Sequence, residues 1–306
     1  MPSWTELLHE ANQTGGTFDV VRHKYIRRLH SLTKRNIIIY YSGWLSKGNL
    51  QAQLGTTVFS INDSDINALM ATIHKLDREK GLDLILHTPG GDMLATEAII
   101  HYLRKMFPDD IRAIVPQLAM SGGTMIALAC NRIVMGKHSS LGPVDPLVGG
   151  LPAEGVISEW RRANQEVALN RSQLGLWQPI IAKYGPTLIG NCEKAVKLAE
   201  EVVSRFLKAG MFRGDSDAEE KASRVLNFFK SHDETLSHGR HITPEQAKDF
   251  GVVIDMLEDD QKLQDAVLNV HHLTMLTLQQ TGALKIVENH QGNRVIPTIN
   301  APSGNK

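Results

Sequence analysis

Short apolar runs rich in β-branched residues recur along the first half of the chain. A continuous apolar run of this kind is typical of a strand whose two faces are both covered. Four runs predict such strands, at 36–41, Leu82–His87, Ile111–Val115 and Arg132–Met135. Because a strand covered on both faces needs neighbours above and below it, the pattern favours a layered arrangement.

Segments with a helical period lie between these strands. Residues 63–79 place their apolar side chains on one stripe, and residues 93–106 repeat that pattern before Pro108. Residues 122–131 begin with glycines and continue with small and apolar residues, as a buried helix does. Strand and helix therefore alternate, which is the signature of right-handed parallel crossovers, and we expect an α/β core.

The chain becomes more polar and more helical beyond about residue 156, and from residue 286 onwards it predicts a short strand followed by a loose end. Amphipathic or capping patterns predict later helices at 191–207, 217–230 and 243–250. The first 34 residues are polar with basic steps, which is typical of a solvated helical arm. We therefore expect an N-terminal arm, a main domain, and a C-terminal helix with its tail, at 1–34, 35–257 and 258–306.

Composition narrows the classes of function. The 306 residues carry 33 Lys and Arg against 33 Asp and Glu, so the formal net charge is zero. Binding to a nucleic acid needs uncompensated cations, and we expect no nucleic-acid partner. The two cysteines, Cys130 and Cys192, are too few for a disulfide framework or a Cys-x-x-Cys metal site. We expect neither a metal nor a cofactor.

The sequence also bears on location. Its longest apolar runs are far shorter than the ~20 residues that span a bilayer. The N-terminal residues lack the apolar core of a signal peptide. We expect a cytoplasmic protein of a reducing compartment, and peripheral association with a membrane stays open.

Two glycine-rich turns follow predicted strands. His-Thr-Pro-Gly-Gly-Asp occupies 87–92, and Ala-Met-Ser-Gly-Gly-Thr occupies 119–124. Paired glycines at a strand-to-helix turn bring backbone amides close to a ligand, and the helix N-terminus adds a partial positive charge. Ser121 is thereby placed where a hydroxyl could attack and an oxyanion could be stabilised, or where it simply caps the helix. No Lys-Ser or Lys-Thr follows either glycine pair, so neither turn is a P-loop.

Taken together, these motifs resemble the serine dehydrogenase proteinase family. The resemblance rests on Leu-His-Thr-Pro-Gly-Gly-Asp at 86–92, Met-Ser-Gly-Gly-Thr-Met-Ile-Ala-Leu-Ala at 120–129 and Ser-Ser-Leu-Gly-Pro-Val-Asp-Pro at 139–146. It extends over about residues 36–257 and includes the Gly-Arg-His-Ile-Thr-Pro segment that begins at 239. The family is similar to signal peptide peptidase A and, more distantly, to the Clp proteolytic subunit. The resemblance implies a ClpP/crotonase-like fold, a parallel-rich core of βαβ units with a helical C-terminal part.

The resemblance also implies a function, a serine endopeptidase that cleaves a polypeptide substrate through an acyl-enzyme. Ser121 matches the nucleophile of the family, and the amides of Gly122 and of the Gly90-Gly91 pair match its oxyanion hole. Superfamily relatives form closed assemblies, so a homo-oligomer, a trimer-based ring or larger, is implied. Three alternatives stay open: an acyl-CoA-processing crotonase-like enzyme, a serine hydrolase of small esters, and a catalytically silent scaffold.

The general base is a separate question. Signal peptide peptidase A uses a Ser-Lys dyad, and Ala-Lys-Tyr-Gly-Pro at 182–186 is similar to the segment that carries its lysine, which favours Lys183. A lysine base must be neutral, so its pKa must fall from about 10.4, and we expect the apolar residues at 176–181 to bury it. Lys194 or Lys197 could take this role instead. His138 is an alternative base, and Asp145 could orient a base or serve in a turn.

Overall fold

The computed structural model describes residues 4–13, 18–230, 237 and 239–299, and a seven-stranded sheet forms the centre of this part of the chain. The strands of the sheet are β1 (Asn36–Ser42), β2 (Leu82–His87), β3 (Ile111–Val115), β5 (Arg132–Met135), β9 (Ile254–Met256), β10 (Lys285–Asn289) and β11 (Arg294–Val295). Short strands outside it are β4 (Leu118–Ala119), β6 (Ser140–Leu141), β7 (Leu147–Val148) and β8 (Leu151–Pro152). The order across the sheet is β11-β10-β1-β2-β3-β5-β9.

The sheet is mostly parallel. Strands β1, β2, β3, β5 and β9 run parallel to one another, whereas β10 is antiparallel to both β1 and β11. The four strands predicted from apolar runs are therefore confirmed, and β10 is the short strand predicted near residue 286. The last residues of the loose end expected after this strand, 300–306, lie outside the described residues.

Helices connect the strands and cover both faces of the sheet. They are α1 (Trp4–Gln13), α2 (Phe18–Thr33), α3 (Gly48–Leu54), α4 (Asp65–Ile73), α5 (Met93–Met106), α6 (Gly122–Leu128), α7 (Ala153–Leu169), α8 (Leu174–Ile181), α9 (Leu188–Ala209), α10 (Ala218–Lys230), α11 (Pro244–Asp249) and α12 (Gln261–Gln280). The helix predicted over 63–79 is shorter than expected, because the chain turns at Lys75 with a φ of 62°. The expected α/β fold with a helical C-terminal part is confirmed.

Alternation along β1 explains the two-sided core. Ile38 and Tyr40 join the cluster formed with α4, α5, α6, α9 and α10, whereas Ile37 and Ile39 join the cluster under α1, α2 and α12. Successive side chains of a strand point to opposite faces, so a strand buried on both faces must be apolar throughout. This requirement produced the continuous runs in the sequence.

The expectation that residues 1–34 form a solvated arm is wrong for α2. Its Arg22 side chain is fully buried, and the guanidinium donates to Glu288 Oε2 on β10 at 2.6 and 2.8 Å and to Thr277 Oγ1 on α12 at 3.0 Å. The basic residues that predicted a solvated face thus include one that joins α2 to the sheet. The helical character is confirmed, and the division of the chain into three parts stays a prediction.

One region contrasts with this core. We call residues 153–187, which contain α7 and α8, the arm; from here on this name no longer refers to the N-terminal segment 1–34. A small cluster of four buried residues, Ala153, Val156, Ile157 and Cys192, joins its base to α9. Helix α8 contains no buried residue, although its sequence is almost entirely apolar.

Candidate active site

The two glycine-rich turns lie side by side above the carboxyl ends of the parallel strands. Thr88 N–H donates to Leu118 O at 3.1 Å, and Met120 N–H donates to Thr88 O at 3.0 Å. These bonds pair the turn after β2 with β4, the short strand that leads into Ser121. Ligands of open α/β sheets bind at this edge, so the structure brings the two motifs together where chemistry is expected.

Close packing between the turns explains their glycines. A Cβ added to Gly90 would lie 2.7 Å from Ser121 Cβ, and Gly90 also has a positive φ of 91°. On Gly91 a Cβ would lie 2.3 Å from the backbone N and O of Ile61, and on Gly122 it would lie 2.6 Å from Thr96 Oγ1. A real Cβ does not approach other atoms this closely, so these three positions require glycine.

Ser121 has a strained backbone. Its φ of 48° and ψ of −114° lie outside the regions that residues with a side chain normally occupy. Such a conformation costs about 1–3 kcal/mol and persists where the surrounding structure enforces it, often at active sites. Ser121 is the N-cap residue of α6, yet its side chain makes no capping hydrogen bond. The alternative that Ser121 simply caps the helix is therefore wrong.

A backbone amide of the first turn lies next to the second turn. Ile61 bridges Gly91 in parallel fashion: Ile61 N–H donates to Gly90 O at 2.8 Å, and Asp92 N–H donates to Ile61 O at 2.9 Å. Gly91 is the residue between these two hydrogen bonds, so its own N–H points away from Ile61. Gly91 N is on the Ser121 side, 3.5 Å from the place a Cβ would take on Gly122. Gly90 N–H instead donates a hydrogen bond to Thr88 Oγ1, at 3.2 Å.

A cavity of about 460 Å³ opens in front of Ser121. Its apolar wall includes Leu94, Met125, Leu147 and Leu198. The titratable side chains that line it, within the described part of the chain, are Asp92, Asp145 and Lys194. Asp92 caps α5 by accepting from Ala95 N–H at 2.8 Å.

Comparison with known proteins identifies this arrangement. The family described as ClpP-like SDH-type serine proteinase matches residues 17–289. The chain belongs to this family. It is also similar to two uncharacterised proteins of Methanocaldococcus jannaschii, MJ0137 and MJ1495, with 30% identity over 227 and 203 residues. These matches cover 74% and 66% of this chain and 70% and 62% of the two relatives. The resemblance to serine dehydrogenase proteinases is confirmed, and the fold is that of a ClpP-like proteinase.

Among the candidate bases, Lys183 does not lie in the environment expected for it. Its side chain is exposed just beyond α8, and it is not among the residues that line the Ser121 cavity. The expectation that residues 176–181 bury Lys183 is wrong, because α8 has no buried residue. Lys194 on α9 is exposed too, but it does line the cavity.

Lys197 faces a neighbouring space. A second cavity of about 500 Å³ shares Val144, Asp145 and Pro146 with the first and extends between α7 and α9, where Lys197 lines it. Asp145, expected to orient a base or to serve in a turn, is buried at the junction of the two cavities. The two cavities are therefore adjacent, and we call them together the cleft.

His138 lies away from the cleft. Its side chain is exposed, and it is close enough to His271 and His272 on α12 to help lower the pKa of both imidazoles, for which burial is the larger cause. Helix α12 covers the face of the sheet opposite α5 and α6. The structure therefore does not bring His138 together with Ser121.

A buried ionic network that the sequence did not reveal supports the first turn from behind. Lys285 Nζ donates to Asp65 Oδ2 at 2.8 Å and to Ser60 O at 2.6 Å, and Tyr40 O–H donates to the same carboxylate at 2.9 Å. Burial lowers the pKa of Lys285, while Asp65 acts in the opposite direction. Because Ser60 precedes Ile61, the network fixes the strand-like segment against which Gly91 is held. A lysine in β10 and an aspartate far away in sequence carry no local signal of such a contact.

Within the described residues, no helix has the length and apolar character needed to cross a membrane. The same part of the chain holds no group of three or more His, Cys, Asp or Glu side chains placed to bind a metal ion.

Proposed function

We propose that this chain is a serine endopeptidase and that Ser121 is its nucleophile. The observation that carries the proposal is the strained, non-capping conformation of Ser121 at the edge of the cavity. A strained turn between a strand and a helix that presents a serine is the arrangement of a nucleophile elbow. Membership of a serine proteinase family supports the same activity.

The chemistry follows from the neighbours of Ser121. Its Oγ attacks the carbonyl carbon of the scissile peptide bond while its proton passes to a base. The N–H groups of Gly91 and Gly122 then stabilise the negative oxygen of the tetrahedral intermediate. The intermediate breaks its C–N bond, the base returns the proton to the leaving amine, and water hydrolyses the remaining ester with help from the same base.

Lys194 is the better placed lysine for the base, since it lines the cavity and Lys183 does not. A free lysine has a pKa of about 10.4, so it is mostly protonated at neutral pH. A peptide that fills the cavity would exclude water from the amine, and desolvation disfavours the charged form.

The shape of the cleft supports a polypeptide substrate. Leucine and methionine side chains beside Ser121 suit an apolar side chain next to the scissile bond. The adjacent second cavity offers room for further residues of an extended chain, which a small ester does not need. Assembly into a homo-oligomer stays a prediction.

Labelling with a fluorophosphonate probe tests the nucleophile. We expect stoichiometric labelling of the wild-type chain at Ser121, found by mass spectrometry of the labelled peptide, no labelling of Ser121→Ala, and cleavage of an unfolded protein substrate by the wild type alone. Absence of labelling would point to a silent scaffold. Turnover of a CoA thioester that survives Ser121→Ala would point to a crotonase-like enzyme, and ester hydrolysis without peptide hydrolysis to a small-ester hydrolase.

Three matched lysine variants test the base. We expect Lys194→Ala to lose nearly all turnover, while Lys197→Ala, on the same helix but in the second cavity, and Lys183→Ala, on the arm, retain most of it. Lys194→Arg should not rescue activity, because a guanidinium stays protonated. Loss of activity in Lys183→Ala with retention in Lys194→Ala would return the base to Lys183.

A further inference from the structure

The end of the arm exposes an unusual amount of apolar surface. We call residues 169–183 the tip. Leu169 is 89% exposed, Leu174 53%, Leu176 66% and Ile180 41%. A helix that is apolar all round is normally buried, and contiguous exposed apolar surface marks an interaction site. The sequence of α8 is therefore suited to an environment that the described residues of this chain do not provide.

The charged residues of the tip itself are of one sign. No Asp or Glu occurs between residues 167 and 192, whereas Arg171 and Lys183 lie on either side of α8. The nearby carboxylates of α7 are already engaged. Glu159 accepts from the Tyr184 hydroxyl, and Glu166 accepts from Arg162 Nε at 2.7 Å and from Trp177 Nε1 at 2.8 Å.

Tryptophans border this surface. Trp160 and Trp177 line a shallow groove of about 400 Å³ between α7 and α8, together with Val167 and Ile181. The indole ring combines an apolar body with a polar N–H, which is why tryptophan is enriched where hydrocarbon meets water. The tip thus combines exposed leucines, flanking cations and neighbouring indoles.

We propose that the tip inserts into the interface of an anionic lipid bilayer. Its leucines would enter the boundary between headgroups and acyl chains, and Arg171 and Lys183 would meet lipid phosphates. Charge favours this partner over a second tip, since two identical tips facing each other would bring their cations together. The proposal does not depend on the chemistry at Ser121.

Flotation of the full chain with vesicles tests the proposal. We expect binding to vesicles of phosphatidylcholine with an equal part of phosphatidylglycerol, much weaker binding to phosphatidylcholine alone, and loss of binding at high salt. Leu174→Glu/Leu176→Glu should weaken binding by more than about tenfold, since it removes apolar insertion and adds negative charge. The matched control Val20→Glu/Met70→Glu, at side chains 59% and 52% exposed elsewhere, should bind like the wild type.

A second pair of variants separates charge from apolar contact. Arg171→Gln/Lys183→Gln should weaken binding to the anionic vesicles by about fivefold for each cation removed. Lys105→Gln/Lys248→Gln, at exposed lysines away from the arm, should leave binding unchanged. Equal losses in both pairs would mean that any surface cation suffices, and the assignment to the tip would be wrong.

Two further results would overturn the proposal. One is a wild-type chain that binds neither vesicle. The other is a change in oligomeric state without lipid, seen by sedimentation velocity, when Leu174 and Leu176 become glutamate, because the tip would then be a contact between protein chains.

Discussion

The sheet and the arm are both rich in apolar residues, but they use them in opposite ways. Ile37, Ile38 and Ile39 of β1 are all completely buried, whereas Leu174 and Leu176 of α8 are more than half exposed. The apolar run of β1 finds partners in the same chain on both faces of the sheet. An apolar sequence predicts burial within the chain only when such partners exist.

The candidate active site lies between the turns above the sheet and α9, the helix that follows the arm. Ser121 and the glycines belong to turns that the buried sheet holds in place, and Lys194 comes from α9, the helix that follows the arm. The part of the site fixed by the sheet is packed so closely that three positions admit no Cβ. The part contributed by α9 is more exposed and depends more on what binds there.

The largest expected effect is the loss of turnover when Ser121, in the part of the site held by the sheet, is replaced. Ser121→Ala should lower turnover of a peptide substrate by about 10⁴-fold or more, because no other group replaces the nucleophile. Ser121→Gly should be equally inactive but at least as stable as the wild type, since glycine adopts a positive φ without strain. Substrate turnover and thermal unfolding of the same preparations check both statements. Substantial turnover by either variant would contradict the role of Ser121.

Sequence predicted this side of the molecule well. Buried parallel strands must be apolar, and turns that approach each other closely must contain glycine, so both features are visible locally in the chain. The bounds of β2, β3 and β5 and the placement of the two turns follow from these requirements. The antiparallel addition of β10 and the contact of Ile61 with Gly91 depend on pairing between distant segments, which leaves no local pattern.

The arm was harder to predict for a related reason. The apolar residues at 176–181 predicted a buried environment for Lys183, but α8 leaves them unburied. For Arg22 the error was the reverse: the sequence predicted an exposed side chain, but Arg22 is buried, and its partner Glu288 is far away in sequence. In both cases, composition alone did not indicate which surface a side chain meets.

A smaller effect is expected at the amide of the first turn. Gly91→Ala should lower kcat/KM by about 10²–10³-fold, which corresponds to the loss of one oxyanion donor. Its Cβ would clash with the Ile61 backbone and displace the Gly91 N–H. Gly48→Ala is the control, since a Cβ there meets no atom within 4 Å. Steady-state kinetics, with circular dichroism to verify folding, would contradict the assignment if the two variants behaved alike.

Acid should destabilise the part of the molecule around the sheet more than the arm, because the arm contains no histidine. Burial lowers the pKa of His87 to about 3. Its ring packs among Tyr41, Trp44 and His271, and neither ring nitrogen has a hydrogen-bond partner among the described residues.

The sign of the pH effect follows from this neutral, buried imidazole. The unfolded chain binds a proton below about pH 6.5, so the stabilisation is present above that pH and is lost as pH falls towards 3. At pH 5, His87 alone should account for about 2 kcal/mol of lost unfolding free energy. Urea unfolding at pH 8 and pH 5 measures it, and His87→Phe should reduce the difference between the two by that amount. An unchanged difference would mean that His87 is not neutral and buried.

The smallest expected effects are on the free energy of unfolding, when the same substitution, isoleucine to valine, is made once in the sheet and once in the arm. Ile38→Val removes a methyl group from a side chain with no exposed surface, and it should lower the free energy of unfolding by about 0.5–1.5 kcal/mol. Ile180→Val removes the same group from α8, where 41% of the residue is exposed, and it should change stability by less than about 0.5 kcal/mol. Urea unfolding of the isolated chain measures both values.

If Ile180→Val cost as much as Ile38→Val, α8 would be covered by protein in solution, and its exposed surface would belong to a contact between copies of the chain. If Ile180→Val became costly only when anionic vesicles were present, the lipid would supply the covering that the sheet supplies for β1.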